Sequence, residues 1–282
     1  MNPKLPNLSN VERLSPRVVR IMGGNPGKFT LQGTNTYLIG TGSKRILIDT
    51  GEGNRIWPRN LREALEQENA EVEMVILTHW HPDHVGGVKD VFDLSTSKPK
   101  IYKNRPDPGQ RPIEDGQQFQ VEGATLSAFH CPGHTVDHMA FILKEEDAMF
   151  TGDNVLGHGT AVFEDLSAYM NSLEQMQRQF SGRAYPGHGA IIDDGRAKVR
   201  EYIAHRKERE DQILAVLREE PDGGKDGWTS MDVVKVVYKD YPENLHIPAE
   251  GGVVQVLRKM EDEGKVRRNG DGRWMISSKS SL

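Results

Sequence analysis

Cysteine is nearly absent. Cys131 is the only one among 282 residues, so no intramolecular disulfide can form, which suits a reducing compartment. Long apolar runs are missing too. None approaches the ~18 residues that a membrane span needs, so no membrane association is expected. The N-terminal stretch lacks the apolar core of a secretory signal. It carries Arg13, Arg17 and Arg20 without a clear amphipathic pattern. The expectation is a cytoplasmic protein, with a mitochondrial address as the alternative. The final "SSL" is only loosely like a peroxisomal tripeptide. Positive charge is not in excess: 36 basic residues face 41 acidic ones, for a net charge of −5. That balance does not favour a protein whose main task is gripping phosphate backbones, though it leaves room for a local basic patch. Internal repeats and low-complexity tracts are absent as well.

What is present suits a soluble globular chain, with 36% hydrophobic and 27% charged residues. The length fits one domain of about 200 residues and a small second one. Residues 17–50 read as strands, among them the buried apolar run "RILIDTG". "PRNLREALEQE" reads as a helix with Pro58 in its first turn. "EVEMVILTH" is a strand, and "VGGVKDVFDL" opens a helix. Five more short strands follow, from "KIYKN" to "DAMFTGD". Then come the amphipathic helix "DLSAYMNSLEQMQRQF" and a short strand in "RAYPGHG". Strands and helices mixed in this way fit an α/β sandwich of two mixed sheets with helices outside. The texture changes after Asp194. Residues 196–219 form a long charged helix, and two further helices precede a hairpin around "NGDG". The expected division is a catalytic domain over 1–195 and a winged-helix-like α+β module over 196–282.

The chemistry concentrates in "THWHPDHVGG", Thr78 to Gly87. His79, His81, Asp83 and His84 stand together. His134 follows in "CPGHT", Asp153 in "FTGDN" and His188 in "YPGHG". Each lies just past an apolar strand-like run, the placement expected when a rigid sheet holds ligands at one edge. Seven ligands suit two divalent ions. Imidazole with carboxylate suits Zn²⁺, with Mn²⁺ or Fe²⁺ as alternatives. A structural zinc site would use four closed ligands, often cysteines. Two ions a few Å apart can hold a bridging hydroxide, a nucleophile that needs no strong protein base.

These motifs together resemble the metallo-β-lactamase superfamily over residues ~17–195. The resemblance implies a four-layer αββα sandwich. It implies that His79, His81 and His134 hold one metal, that Asp83, His84 and His188 hold the other, and that Asp153 bridges them. It also implies that Asp49 in "LIDTG" supports the metal-binding loops without being a ligand. True β-lactamases usually depart from this ligand set, so lactam hydrolysis is not expected. A relic site without catalysis is opposed by the presence of all seven ligands.

"NPGKFTLQGTNTYLIGTG", "VEGATL", "VFEDL", "YMNSL" and "YPENLH" look like the β-lactamase-like protein 2 group over nearly the full length. That group includes endoribonucleases acting on single-stranded RNA. It also has a fungal branch of thioesterases that release polyketides from an acyl carrier protein. "IYKNRPDPGQRPIEDGQ" and "AMFTGDNVLGHGT" look more like the fungal branch. The leading expectation is therefore a thioesterase, with acyl carrier protein or an acyl-pantetheine thioester as partner. The endoribonuclease is the alternative, and a glyoxalase-like glutathione thioesterase is third. In each case the bridging hydroxide, oriented by Asp83, attacks carbonyl carbon or phosphorus.

The two main chemistries differ in leaving group. A thiolate, with a parent pKa around 8.5, needs little acid help. An alkoxide benefits from a general acid. His158 in "LGHGT" is the candidate acid or substrate contact; the alternative is a surface loop residue with no role. Tyr102, Lys103 and Arg105 could meet RNA or the phosphate of a phosphopantetheine arm. His205, Arg206, Lys207 and Arg209 read more readily as a solvated helix face. "GGNPGKFTLQGTN" is not a P-loop, since no GK[ST] follows at the required spacing. A hairpin carrying Phe29 and Leu31 over the site suits it better, with Phe29 touching an acyl chain or a base. Trp80 is expected to pack behind its loop and Cys131 to be buried and unreactive. In the C-terminal module, Arg258, Lys259, Lys265, Arg267 and Arg268 would form a basic face, but Glu261, Asp262 and Glu263 interrupt it. The module is expected to shape the substrate cleft or to make a subunit contact, as in a homodimer.

Overall fold

The structure is a computed structural model and describes residues 5–221 and 226–277. In chain order its elements are β1 (Val11–Ser15), β2 (Val18–Met22), β3 (Asn35–Ile39), β4 (Lys44–Ile48), α1 (Trp57–Glu68), β5 (Glu71–Ile76), α2 (Pro82–Val85), α3 (Val88–Leu94), β6 (Lys100–Lys103), β7 (Arg111–Pro112), β8 (Gln118–Val121), β9 (Ala124–His130), β10 (Met139–Leu143), β11 (Ala148–Gly152), α4 (Leu166–Gln179), β12 (Ala184–Pro186), α5 (Gly195–Leu217), α6 (Ser230–Val237), α7 (His246–Asp262), β13 (Val266–Arg268) and β14 (Trp274–Ile276). Two compact units divide between Tyr202 and Ile203, inside α5. The expected boundary, 195/196, lies at the start of that helix.

The first unit holds two sheets. One has the order β1-β2-β3-β4-β5-β6-β7, the other β12-β11-β10-β9-β8. β2 and β3 are buried along their whole length and β4 along all but Lys44. Strands covered on both faces read as near-continuous apolar runs, which is why "RILI" was legible as a strand. One apolar cluster joins the inner faces of the two sheets, with Ile46, Ile48, Phe119, Leu126, Phe141 and Phe150 among its members. A second lies between the first sheet and the helices outside it, built on Leu38, Leu47, Trp57, Leu61 and Val91. On the far side, α4 buries Leu166, Tyr169, Leu173 and Met176. Its Tyr169 Oη donates to the Asn154 carbonyl at 2.6 Å and its Ser172 Oγ to the Pro132 carbonyl at 2.6 Å.

β1 and β7 were not foreseen. Both are edge strands without a buried residue, so they carry no clean apolar alternation. The single helix expected from "VGGVKDVFDL" begins only at Val88, after the separate turn α2. Gly86 and Gly87 separate the two. A Cβ on Gly87 would sit 2.0 Å from the Thr50 carbonyl oxygen and 2.7 Å from the Trp57 ring. The glycine pair lets this turn press against the β4 loop, and that approach fixes the histidine cluster beside Asp49.

In the second unit α6 starts at a capping box, Thr229 with Asp232. α6, α7 and the β13–β14 hairpin follow, as the sequence suggested. Three of the five basic residues expected to form a face are engaged within the unit. Lys259 and Lys265 pair with Glu210 and Glu263, and Arg268 lies 4.1 Å over the Trp274 ring. No helix among the described residues is long and apolar enough to cross a membrane.

Candidate metal centre

β5 ends at Ile76, and the bends that follow at Thr78 and Trp80 carry His79 and His81 to the end of the strand. Pro82 then starts one helical turn, which swings Asp83 and His84 back toward the same point. His134 follows β9, Asp153 follows β11 and His188 follows β12. The last of these loops is tied across the sandwich. Asn35 donates its backbone N–H to the Gly187 carbonyl at 2.7 Å, and its side-chain amide to the carbonyls of Pro186 and Gly189 at 2.9 Å each. Tyr37 Oη also donates to the Pro186 carbonyl.

The seven residues meet in two groups. His79, His81, His134 and Asp153 form one; Asp83, His84 and His188 form the other. Within each, one ligand atom per residue lies within 4.8 Å of the rest. Asp153 faces both: its Oδ2 is 3.6 Å from His134 Nε2 and 3.2 Å from His188 Nε2, and its Oδ1 is 3.5 Å from His84 Nε2.

Hydrogen bonding sets which imidazole nitrogen is free. Thr78 Oγ1 donates to Asp49 Oδ2 at 2.8 Å, so it accepts from His79 Nδ1–H at 2.9 Å. His84 Nδ1–H donates to the same Asp49 oxygen at 2.7 Å. His134 Nδ1–H donates to the Val162 carbonyl at 2.7 Å. His188 Nδ1–H points to the Gly33 carbonyl at a long 3.4 Å. Four Nε2 atoms therefore face inward. His81 turns its Nδ1 to within 3.0 Å of His79 Nε2 and 3.1 Å of His134 Nε2. One imidazole proton cannot serve both of these nitrogens, so at least one Nε2 is left without a hydrogen-bond partner here, open to a cation. His84 Nε2 and Asp153 Oδ1 are also buried without a hydrogen-bond partner; their 3.5 Å separation is too long to satisfy either. Orphaned donor atoms aimed at one point, in a set of imidazole and carboxylate, fit divalent metal.

The electrostatics agree. Burial, reinforced by His84, pushes His79 well below the usual imidazole range, and burial with His134 lowers His81. Burial opposes the charged form of His188, but the Asp153 and Asp83 carboxylates raise it to about 9. His84 is raised in the same way, by Asp153 and Asp49 against burial. Asp153 and Asp83 are themselves held far below the carboxylate range despite burial, chiefly by His188 and His84. Such a cluster holds cationic histidines where a metal would hold neutral ones.

A cleft of about 430 Å³ opens over the cluster. His81, Asp83, His134, Asp153 and His188 form its floor. One wall is the tip of the 23–34 hairpin, closed by the Gly27–Leu31 bridge and carrying Lys28, Phe29, Thr30 and Leu31. The other is the loop from Leu156 to Glu164, with His158, Val162 and Phe163. Phe29 is 71% exposed and Val162 62%, unusual for large apolar side chains unless something covers them.

Three candidates do not reach this cleft. Tyr102 turns edge-on to Phe119, 5.0 Å away, inside the sandwich. Lys103 is buried, 3.5 Å from Asp107 and 3.9 Å from Asp137. Arg105 is exposed in the loop beyond and is absent from the cleft wall. Tyr102 pairs with Ile76 in parallel register, so "YKNRP" leaves its sheet at the same edge as the His79 motif, but side chains alternate between faces: Tyr102 turns to the core and Lys103 to Asp107 and Asp137. Trp80 is 45% exposed beside His81, outside the cleft. Cys131 is buried, which pushes its thiol far up, away from reactivity.

His138, four residues after His134, escaped the sequence reading. Its Nε2 accepts from the Asp153 backbone N–H at 3.0 Å, while its Nδ1 lies 3.3 Å from Cys131 Sγ. A second histidine in "CPGHTVDH" was the available signal. Lys28, Thr34 and the 160–164 loop escaped it too.

Comparison with known proteins agrees with this architecture. The Metallo-beta-lactamase superfamily model matches residues 29–96 and 90–188, and the Beta-lactamase associated winged helix domain matches 229–274. The chain belongs to the metallo-beta-lactamase superfamily and carries that winged helix domain. It is 48% identical to an atrochrysone carboxyl ACP thioesterase of Aspergillus chevalieri, over 97% of this chain and 91% of that one. It is 47% identical to the lactamase-like protein aptB of Emericella nidulans, over 93% and 86%. Among solved structures, the metallo-beta-lactamase family protein TTHA1429 from Thermus thermophilus shares the fold with a TM-score of 0.72 at 23% identity, covering 94% of this chain and all of the other.

Proposed function

We propose that this chain is a dinuclear metal hydrolase that releases an acyl group from the phosphopantetheine arm of an acyl carrier protein. The observation that carries the reading is the cleft. Its walls over the ligand cluster are mainly apolar, with Phe29, Leu31, Leu156, Val162 and Phe163 in them. They suit a bulky acyl chain, and the similar Aspergillus chevalieri protein is named for a thioesterase of that kind. Single-stranded RNA would call for a basic track lined with aromatics. Among the described residues, Lys28 is the one lysine or arginine in the walls. A glutathione thioester would also need a more basic pocket.

His79, His81 and His134 would hold one ion and Asp83, His84 and His188 the other, with Asp153 between them. Two Zn²⁺ ions, with Mn²⁺ or Fe²⁺ as alternatives, would supply Lewis acidity and ease deprotonation of a water at the site. The side chains do the rest. Asp83, at the cleft floor, orients the attacking water toward the thioester carbonyl. Phe29 and Val162 flank the acyl chain and keep water from its far end. Lys28, at the hairpin tip, meets the phosphate of the arm. His158, exposed at the opposite rim, contacts the arm near the sulfur; the departing thiolate needs no strong acid.

The test is a side-by-side turnover assay. Purified protein, with and without chelator, is given an acyl-pantetheine thioester and a labelled single-stranded RNA. Chelator-sensitive release of free thiol, without RNA cleavage, is the expected result. Chelator-sensitive RNA cleavage with no thiol released would overturn the reading.

A further inference from the structure

We infer that Thr34 is a positioning residue for Asp83, and that Asn25 sets the direction of its single proton. Thr34 is completely buried. Its Oγ1 lies 2.9 Å from Asp83 Oδ2 and 3.0 Å from Asn25 Nδ2. The Asn25 amide can only donate there. Its Oδ1 is already occupied, accepting the Thr34 backbone N–H at 2.9 Å, which fixes the orientation of the amide. A hydroxyl has one proton. With Asn25 filling an acceptor lobe, the Thr34 proton is directed to Asp83. The carboxylate is thereby held in one rotamer, with its Oδ2 3.3 Å from both His84 Nε2 and His188 Nε2.

The surrounding backbone is shaped for this clamp. A Cβ on Gly23 would lie 2.6 Å from Asn25 Oδ1, and one on Gly33, whose φ is +125°, would lie 3.2 Å from the same atom. Gly23 N–H donates to the Thr34 carbonyl, and Thr34 forms a bridge with His188. The glycines of "GGNPGKFTLQGT" thus seat Asn25 against Thr34. Only the tip of the same hairpin, Lys28 to Leu31, reaches the cleft wall. The inference rests on Asp83 being a ligand, and its readout is metal retention, which does not depend on the substrate.

Thr34→Val keeps the shape and removes the hydroxyl. Losing a hydrogen bond behind a ligand typically weakens metal binding about 10- to 100-fold. Zn²⁺ is titrated by competition with a chromophoric chelator, and the visible spectrum of the Co²⁺-loaded protein is recorded. Thr34→Val should weaken one of two equivalents about 10- to 100-fold and change the Co²⁺ bands, while Thr34→Ser restores both. Asn25→Ala, which keeps the hydroxyl but frees its direction, should give a smaller loss; it decides the matter if Thr34→Val does not fold. Two equivalents bound with wild-type affinity by Thr34→Val, or by Asn25→Ala where Thr34→Val does not fold, would overturn the inference alone. A wild-type chain that binds no metal would overturn it together with the ligand assignment.

Discussion

Asp49 shows how much one side chain carries. Its carboxylate accepts from the Thr78 backbone N–H, the Thr78 hydroxyl and His84 Nδ1, all within the buried floor of the site. It sits at φ +59°, a conformation L-residues seldom adopt, so the surrounding contacts hold it there. Removing one partner of a buried, charged network costs about 3–5 kcal/mol. Asp49→Ala should therefore lower the free energy of urea unfolding by about that much. A loss below about 1 kcal/mol would mean that the three donors find other partners. The titrating residues give a second outcome at this scale. His188 is raised from 6.5 to about 9 by Asp153 and Asp83, against burial. In metal-free protein its protonated form stabilises the fold; that contribution is complete below pH 6.5 and lost as pH rises through about 9. Asp83 is depressed, so its contribution is present above its ordinary value of 3.8 and lost on acidification below that. Thermal midpoints of chelated protein should fall between pH 6.5 and 9. Added metal, which takes the place of the His188 proton, should remove that fall.

In the proposed function, the hairpin from Gly23 to Thr34 is the element that recognises the acyl chain. Its base is clamped by Asn25 and Thr34, and its tip holds Phe29 out in solvent. Covering an aromatic side chain contributes about 1.5–3 kcal/mol. Phe29→Ala should raise the KM for a long-chain acyl thioester about tenfold, with kcat within about twofold, since contacts along the acyl chain are shared by substrate and transition state. A short acyl group should show no such change. Equal KM effects on both would place Phe29 outside acyl recognition. Sequence reading located this hairpin and its Phe29, because glycines and a lone aromatic are local signals. It also grouped Tyr102, Lys103 and Arg105 with the site, whereas none of them lines the cleft, because the face a strand residue takes depends on register within a sheet.

At the scale of the whole molecule, charge and fold point the same way. The net charge of −5 does not favour gripping a phosphate backbone, and Lys259 and Lys265 are paired with Glu210 and Glu263. Hydrolysis of an acyl-pantetheine thioester should change less than about threefold between 50 and 200 mM KCl, where binding through many phosphate contacts would fall by orders of magnitude. A steep salt dependence would argue for a polyanionic substrate.

The seven candidate ligands, the two-sheet class and the reaction type were legible in the chain itself. Each ligand follows a buried apolar run and sits in a short local motif, and such signals need no knowledge of what lies across the molecule. The support behind them was not. Thr34 meets Asp83 across 49 positions, Asn35 reaches Pro186 across 151, and Val162 holds His134 across 28. Contacts of that separation exist only once the sheets have packed, and packing is also what decided that Phe29 faces the cleft while Lys103 is buried.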